Sequence, residues 1–357
     1  MSVVLILIAA LLVTMTLLPL SSSRQWYVRA LDFPRIQIAS VSILWLAYVA
    51  FSDTSDHILL TLSTVCIIIA LAYQLYWIIP NSQIYDVEVQ RHLPERQNAL
   101  GSICLLSSNV LMHNRNSQAL LDLVQKHQPD VLVTLESDQW WQDKLDTLSD
   151  YPYRLQCPLD NLYGMHIYSR LALENTSIDF LVEPDKPSMS MNIRINDQQK
   201  IALHVAHPAP PAPGENEQSI ERDFELIGIA KKVAKLTTPV IVAGDLNDVA
   251  WSATTRLFRE IGGLKDPRVG RGMFNTFNAR HWFIRWPLDH VFVSSHFSLK
   301  NLQRLPDIGS DHFPLLVELA LNHTHIKEGS ETQALTEPEL LSEALDTDVA
   351  RKATLPQ

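Results

Sequence analysis

Cysteine is scarce in this 357-residue chain: only Cys66, Cys104 and Cys157, with no C-x-x-C spacing and no zinc pattern. An odd count without those spacings argues against a disulfide framework and a structural zinc site. Cys104 and Cys157 are expected as buried free thiols, with a bridge between them as the alternative. Positive charge is also in short supply. Lys and Arg number 29 against 39 Asp and Glu, for a net charge of −10. Residues 1–80 are neutral and residues 321–357 carry three basic and seven acidic residues, which leaves −6 on the stretch between. A domain of that sign is poorly suited to tight nonspecific nucleic-acid binding, which depends on neutralising phosphates with Lys and Arg. A nuclease that cuts one bond through a metal stays open. No internal repeat is visible.

What the chain has in excess is apolar sequence at its start. Ser2 to Leu20, Ile36 to Phe51 and Ile58 to Ile79 are three such runs, and the first is long enough to cross a hydrocarbon core of ~30 Å. It has neither the basic n-region nor the small-residue cleavage site of a signal peptide. Trp45, Tyr73, Tyr76 and Trp77 include interface anchors. Residues 1–80 are therefore expected to hold three transmembrane helices, with the lipid bilayer as their partner. Arg24, Arg29 and Arg35 lie in the first connection, no Lys or Arg lies near Asp53 to Asp56, and Arg91 and Arg96 follow the third run. This bias places the amino terminus outside and the remainder in the cytoplasm, with the opposite orientation as the alternative.

Residues 81–100 read as a polar linker, 101–320 as one globular domain, and 321–357 as an acidic tail expected to be disordered. Within the domain, Ile103 to Leu106 reads as a strand ending at Asn109. A helix carrying Leu120, Leu121, Leu123 and Val124 follows, capped by Asn114 or Asn116 and stopped by Pro129. Asp130 to Leu135 is a strand ending at Glu136, and a Trp-rich helix runs on to about Leu148. Gly164 to Ser169, Ser177 to Val182, Met189 to Ile195 and Ile201 to His207 read as extended. Pro208 to Pro213 is a stiff polyproline-like loop. A helix over Glu217 to Leu236 leads to Val240 to Ala243, an apolar run suited to a strand buried on both faces. A short helix near Ser252 to Ile261 and strands Asp289 to Ser294, Ser298 to Arg304 and Pro314 to Ala320 complete the domain. Strand–helix units mixed with hairpins imply mixed sheets packed face to face with helices outside.

Polar residues recur where these strands end: Asn109, Glu136, His207, Asp245 with Asn247, Asp289, and Asp311 with His312. Gly244 permits a turn, and in extended backbone the spacing of two puts Asp245 and Asn247 on one side. Asp289 interrupts an apolar strand entry, where a carboxylate needs a partner. Asp311-His312 is held between Gly309 and Pro314.

The motifs Ser108-Asn109-Val110, Leu135-Glu136, Gly164 through Arg170, Ala206-His207-Pro208, Gly244-Asp245-Leu246-Asn247, Leu288-Asp289-His290-Val291 and Gly309-Ser310-Asp311-His312-Phe313-Pro314, in this order, resemble the endonuclease/exonuclease/phosphatase superfamily over roughly residues 101–320. The apolar leader with Asp32-Phe33-Pro34-Arg35 and the Pro-rich loop look like its membrane-anchored bacterial members. The resemblance implies an α/β fold, a four-layer α/β sandwich, in a bacterial inner-membrane protein. It also implies a Mg2+-dependent phosphoesterase, with Mn2+ as the substitute, acting on a nucleic acid, a lipid headgroup or a small phosphate ester. Glu136, with Asn109 and Asp311, is the implied metal set. His312 is implied as base, oriented by Asp289, with Asp245 and Asn247 positioning water and phosphate and His207 donating to a non-bridging oxygen. Family members divide over whether the Asp or the His is the base, and His204 is the alternative to His207. His166 departs from the pattern, which usually has a small apolar residue there, and is expected to pack or face solvent. Tyr168 and Trp286 are candidate substrate contacts. No protein partner is implied. The rival from another class is a noncatalytic membrane scaffold.

Overall fold

The computed structural model describes residues 2–52, 58–94 and 99–322. The expected acidic tail lies outside the described residues. The chain forms two compact units, the first built from residues up to 86 with 211–219 and 270–272, the second from the rest.

In the first unit, α1 (Ser2–Leu17), α3 (Arg35–Phe51) and α4 (Ile58–Ile78) pack through Leu5, Leu12, Ile38, Trp45, Leu60 and Ile67. Their other faces are apolar and exposed, as at Leu7, Leu44 and Leu59. Two helical segments, Val3–Leu20 and Ile58–Asn81, are long and apolar enough to cross a membrane. The middle run joins α2 (Trp26–Arg29) and its 3-10 extension at a 67° bend, and counts as a third span only if that bent pair is one. A buried polar relay links the helices. Arg35 pairs with Asp32 at 2.6 Å and donates to Gln74 Oε1 at 3.1 Å, and Gln74 Nε2 donates to Thr16 Oγ1 at 3.0 Å. Among apolar neighbours each of these groups needs its partner.

The second unit is a sandwich of two mixed sheets. One runs β10-β11-β1-β2-β4-β3, from Phe297–Arg304, Leu315–Leu321, Gly101–Asn109, Val131–Leu135, Met165–Ser169 and Tyr153–Cys157. The other runs β5-β6-β7-β8-β9, from Leu173–Asp179, Ser188–Arg194, Lys200–Val205, Val240–Asp245 and Asp289–Val293. Leu105, Val133, Ile167, Leu203, Ile241 and Val317 meet between the sheets. Outside the first sheet lie α5 (Ser117–His127) and α6 (Gln139–Leu145), packed through Leu120, Val124 and Trp141. Outside the second lie α7 (Ile220–Val233) and α8 (Ala253–Gly262), packed through Leu226, Ala230 and Phe258. The four layers follow from the strands' composition: β2, β8 and β9 are buried along their whole length, so both faces need cover.

Several local readings are corrected. Residues 87–92 are not a linker. Val89 is buried in the inter-sheet core, and Gln90 and His92 exchange backbone bonds with Leu299, both at 2.8 Å. Strand β3 carries no clear sequence signal, and β5 runs from Leu173 to Asp179, with Glu174 paired to Arg194 of the adjacent β6 and to Lys200 of β7, one strand further on. Asn116 sits at the N-cap of α5 without a side-chain bond, while Asn114 Nδ2 donates to the carbonyls of Val110 and Ile308, both at 3.2 Å. Cys104 and Cys157 are free thiols as expected, but half-buried and not buried.

Candidate active site

Alternation decides which side chains meet. Leu105 of β1, Leu203 and Val205 of β7, Ile241 and Ala243 of β8, and Val291 and Val293 of β9 all face the inter-sheet core. Carrying the period of two to the strand ends puts Asn109, His207, Asp245 and Asp289 on that same inner side. All four are buried. Asp245 lies opposite Asp289 in the β8–β9 pairing, and Asn109 opposite Leu135 in the parallel β1–β2 pairing.

Asn109 joins the two sheets. Its Nδ2 donates to Glu136 Oε1 at 2.7 Å and to Asp245 Oδ2 at 3.2 Å, while its Oδ1 accepts from Leu111 N–H at 3.0 Å. Glu136 leaves β2 in the left-handed region, φ 57°, a conformation that needs tertiary support in a non-glycine residue. His312 sits between two carboxylates: Nδ1–H donates to Asp289 Oδ2 at 2.7 Å, and Nε2 lies 3.4 Å from Asp245 Oδ2. Phe277 packs against its ring at 4.9 Å between centroids. His207 Nε2 lies 3.9 Å from the same Asp245 oxygen, and its ring lies 5.1 Å from that of Tyr163.

The β8 exit is built by glycine. Gly244 has φ 141°, and a Cβ there would lie 2.0 Å from the Ala206 carbonyl oxygen, beside His207. Asn247 corrects the extended-spacing argument: it has φ 50°, its N–H donates to Asp245 Oδ1 at 3.0 Å, and its Nδ2 donates to the Pro208 carbonyl at 3.0 Å. It fixes the Asp245 carboxylate through an Asx turn.

Ser310, inside the Gly309 to Pro314 motif, carries no sequence signal of its own. Its Oγ donates to Asn109 O at 2.8 Å and accepts His312 N–H at 3.0 Å, stapling the His312 loop to β1. Thr276, whose hydroxyl accepts the Asp289 N–H at 3.1 Å, and Phe277 lie in irregular backbone with no sequence signal. Asp311 is half-buried, and its charge acts on both Glu136 and His312.

Four residues singled out from the sequence lie outside this cluster. Tyr168 faces the outer helical layer, its hydroxyl 3.0 Å from Asp146 Oδ1, because even positions of β4 point away from the core. His166 shares that parity and is buried. His204 likewise has the opposite parity to His207 and does not reach the site. Trp286 stands one ring back, stacked on Phe277 at 6.2 Å, and Phe277 in turn touches His312.

The electrostatics follow from burial and proximity. Burial pushes Glu136 up to about 7, against the Asn109 bond and His312, which lower it. Burial opposes charge on His312, but Asp289 and Asp245 outweigh it and push the imidazole up to about 10. Asp245 is raised by burial and lowered more by His312 and His207, and ends below its ordinary value. Burial raises Asp289.

Two overlapping donor sets exist. Asp245, Asp289 and His312 offer ligand atoms within 4.8 Å of one another, but the His312–Asp289 hydrogen bond already uses Nδ1 and one of those oxygens. Among the described residues the Glu136 carboxylate has one hydrogen-bond partner, a neutral amide, and it lies beside Asp245 and Asp311. A half-buried carboxylate held by a neutral amide, with two further carboxylates beside it, fits a hard, oxygen-seeking divalent ion. Asn109 would offer its oxygen to such an ion only with its amide turned over.

The family model "Endonuclease/Exonuclease/phosphatase family" matches residues 106–312. A UPF0294 protein of Vibrio cholerae is 27% identical over 153 residues, 42% of this chain and 51% of the relative. One from Vibrio parahaemolyticus is 26% identical over 137 residues, 38% and 46% respectively. The chain thus spans about half the length of the curated relatives it matches. Among solved structures, D. rerio TDP2 complexed with single strand DNA product has a TM-score of 0.50 at 17% identity, covering 61% of this chain and 98% of that one. The human Nocturnin catalytic domain with bound sulfate anion has a TM-score of 0.51 at 16% identity, covering 65% and 100%. At these identities the likeness is one of fold.

Proposed function

The chain belongs to the endonuclease/exonuclease/phosphatase family, and from that membership we propose that it is a divalent-metal-dependent phosphoesterase, using Mg2+ or Mn2+, anchored in a bacterial inner membrane by its N-terminal helices. One observation carries the reading. Six polar residues from separate strands and loops, Asn109, Glu136, His207, Asp245, Asp289 and His312, close one edge of the sandwich within hydrogen-bonding or ion-pairing reach of one another.

Glu136, with Asp311 and Asn109, would hold the cation, which when bound offsets the charge of the phosphoester oxygens and stabilises the leaving oxygen. Asp289 fixes His312, and Asp245 faces it, so the pair can exchange a proton with the attacking water or the departing oxygen. His207, against the same carboxylate, would donate to a non-bridging oxygen as charge builds there. Asn247 acts through Asp245 by holding its carboxylate. A scaffold would have no use for a buried set that opposes its own stability. A phosphate-ester substrate is in keeping with the DNA product and the sulfate bound by the two solved proteins.

The test uses the full chain in detergent, Mg2+ and bis(p-nitrophenyl) phosphate. Chelation is expected to abolish hydrolysis and Mg2+ to restore it, and Glu136→Ala and His312→Ala each to lower kcat by ~10²–10⁴. Activity that survives both substitutions would sink the site assignment. The five arginines of the flanks favour a cytoplasmic domain over a periplasmic one. A reporter fused near Pro94 that works only outside the cell overturns that orientation.

A further inference from the structure

The loop 278–285 connects Phe277 to Trp286 and carries the most exposed aromatic pair of the second unit. Trp282 is 81% exposed and Phe283 55%. Large apolar rings at a loop tip are costly in water unless something covers them. The loop is also well ordered by its bonds. Asn278 N–H donates to Ile284 O at 3.1 Å, and the Arg285 guanidinium donates to the carbonyls of His281 at 3.0 Å and Ala279 at 3.1 Å. It is tied directly to the catalytic segment. Ala279 N–H donates to Asp311 O at 2.7 Å and Phe313 N–H to Thr276 O at 2.9 Å, and the stacked Trp286–Phe277 pair ends on the His312 ring.

Its surroundings are cationic although the domain is acidic. Arg280 is exposed at the tip, and Arg285 and Arg304 both lie over the Phe313 ring, 4.9 and 4.4 Å from its centre. A second apolar loop rises from the same sheet edge. Met189 pairs with Val205, so the β5–β6 connection, with Phe180 47% and Leu181 41% exposed, emerges at the His207 end.

We propose that the 278–285 loop is a lipid-docking element: Trp282 and Phe283 enter the headgroup region of a bilayer, and the adjoining site takes the phosphate ester of a lipid headgroup. The inference rests on the phosphoesterase reading above. Rings that seat at the apolar–polar boundary, flanked by arginines for anionic headgroups, suit such a surface. A polyanion such as nucleic acid would meet a domain of net −6. Nine residues lie between Asn81, at the end of the last apolar helix, and Arg91 in the sandwich, a tether of no more than ~35 Å when fully extended. In the reaction, the water oxygen bonds to phosphorus, the bond from phosphorus to the leaving oxygen breaks, and that oxygen takes a proton. No redox partner is needed.

The test reconstitutes the full chain in phosphatidylcholine–phosphatidylglycerol vesicles, with and without brominated acyl chains. The wild type minus Trp282→Phe difference isolates the Trp282 emission, which is expected to be quenched by brominated lipid. In mixed micelles, Trp282→Ala/Phe283→Ala is expected to lower the ratio of phospholipid to bis(p-nitrophenyl) phosphate hydrolysis at least ~fivefold. Quenching by a single-stranded oligonucleotide and not by brominated lipid overturns the proposal in favour of base stacking. No quenching by either probe overturns it outright, and a parallel loss on both substrates assigns the loop a structural role. A wild type that hydrolyses neither substrate removes the phosphoesterase reading instead, and quenching then still decides whether the loop docks.

Discussion

Asp289, His312 and Asp245 form a chain in which each member is held by its neighbour. The imidazole keeps its proton because two carboxylates face it, and one of those carboxylates stays ionised because the imidazole is charged. The residues of this chain were legible in the sequence because each breaks an apolar pattern at a strand boundary. Ser310 and Phe277, which hold His312 from either side, were not, since a serine in a turn and a phenylalanine in irregular chain break no pattern. Glu225 of α7 gives a test at this scale away from the chemistry. It is buried, Oε1 has no hydrogen-bond partner among the described residues, and burial, then Glu183, push it from 4.5 to about 8 against the pull of Lys186. The folded chain therefore keeps a proton that the unfolded chain has released between those two values, so stability falls as pH rises through that window. Glu225→Gln is expected to flatten the decline and to raise stability at pH 8 by an amount on the order of a few kcal/mol. Urea midpoints of the full chain in detergent, taken at pH 5 and pH 8, check this; equal slopes for both proteins would show that the carboxyl is charged when folded.

Strand β8 and its exit are the element on which the site depends. Val240 to Ala243 was readable as a doubly buried strand, and Gly244 as a turn residue. What was not readable is that β7 runs so close that any side chain at 244 would collide with Ala206 O. Gly244→Ala combines that collision with a positive φ and is expected to destabilise by more than ~2 kcal/mol, or to prevent folding. A thermal midpoint within a degree or two of the wild type would contradict it. Edge strands were the least legible elements. β3 alternates Leu155 and Cys157 toward the core with Arg154 and Gln156 outward, and the outward pair is held by Asp146 at 2.9 and 2.8 Å. That pairing crosses from sheet to helix layer, so the alternation alone carried too little apolar weight to stand out. The start of α8 is clearer: Ser252 Oγ accepts Thr255 N–H at 3.0 Å, as suits a serine at a helix N-cap.

For the whole molecule, composition divides an apolar leader from an acidic globular domain, while the structure's first compact unit takes in residues 211–219 and 270–272 besides those up to 86. If α1 and α4 cross a bilayer, the full chain is expected to stay in the pellet after alkaline carbonate washing and to be released by detergent. Release by carbonate alone would mean that these helices lie on a surface or bury each other. The sequence by itself determined the order of the strands and helices apart from β3, the four-layer class and the identities of the polar strand-end residues, because periodicity and chain punctuation are local properties. Tertiary structure decided which of those residues meet. Face parity sent Tyr168 and His166 to the outer layer, and the crossing of two sheets brought Asn109 to Asp245. An eleven-strand register cannot be summed from local preference, since each pairing depends on chain segments far away in sequence.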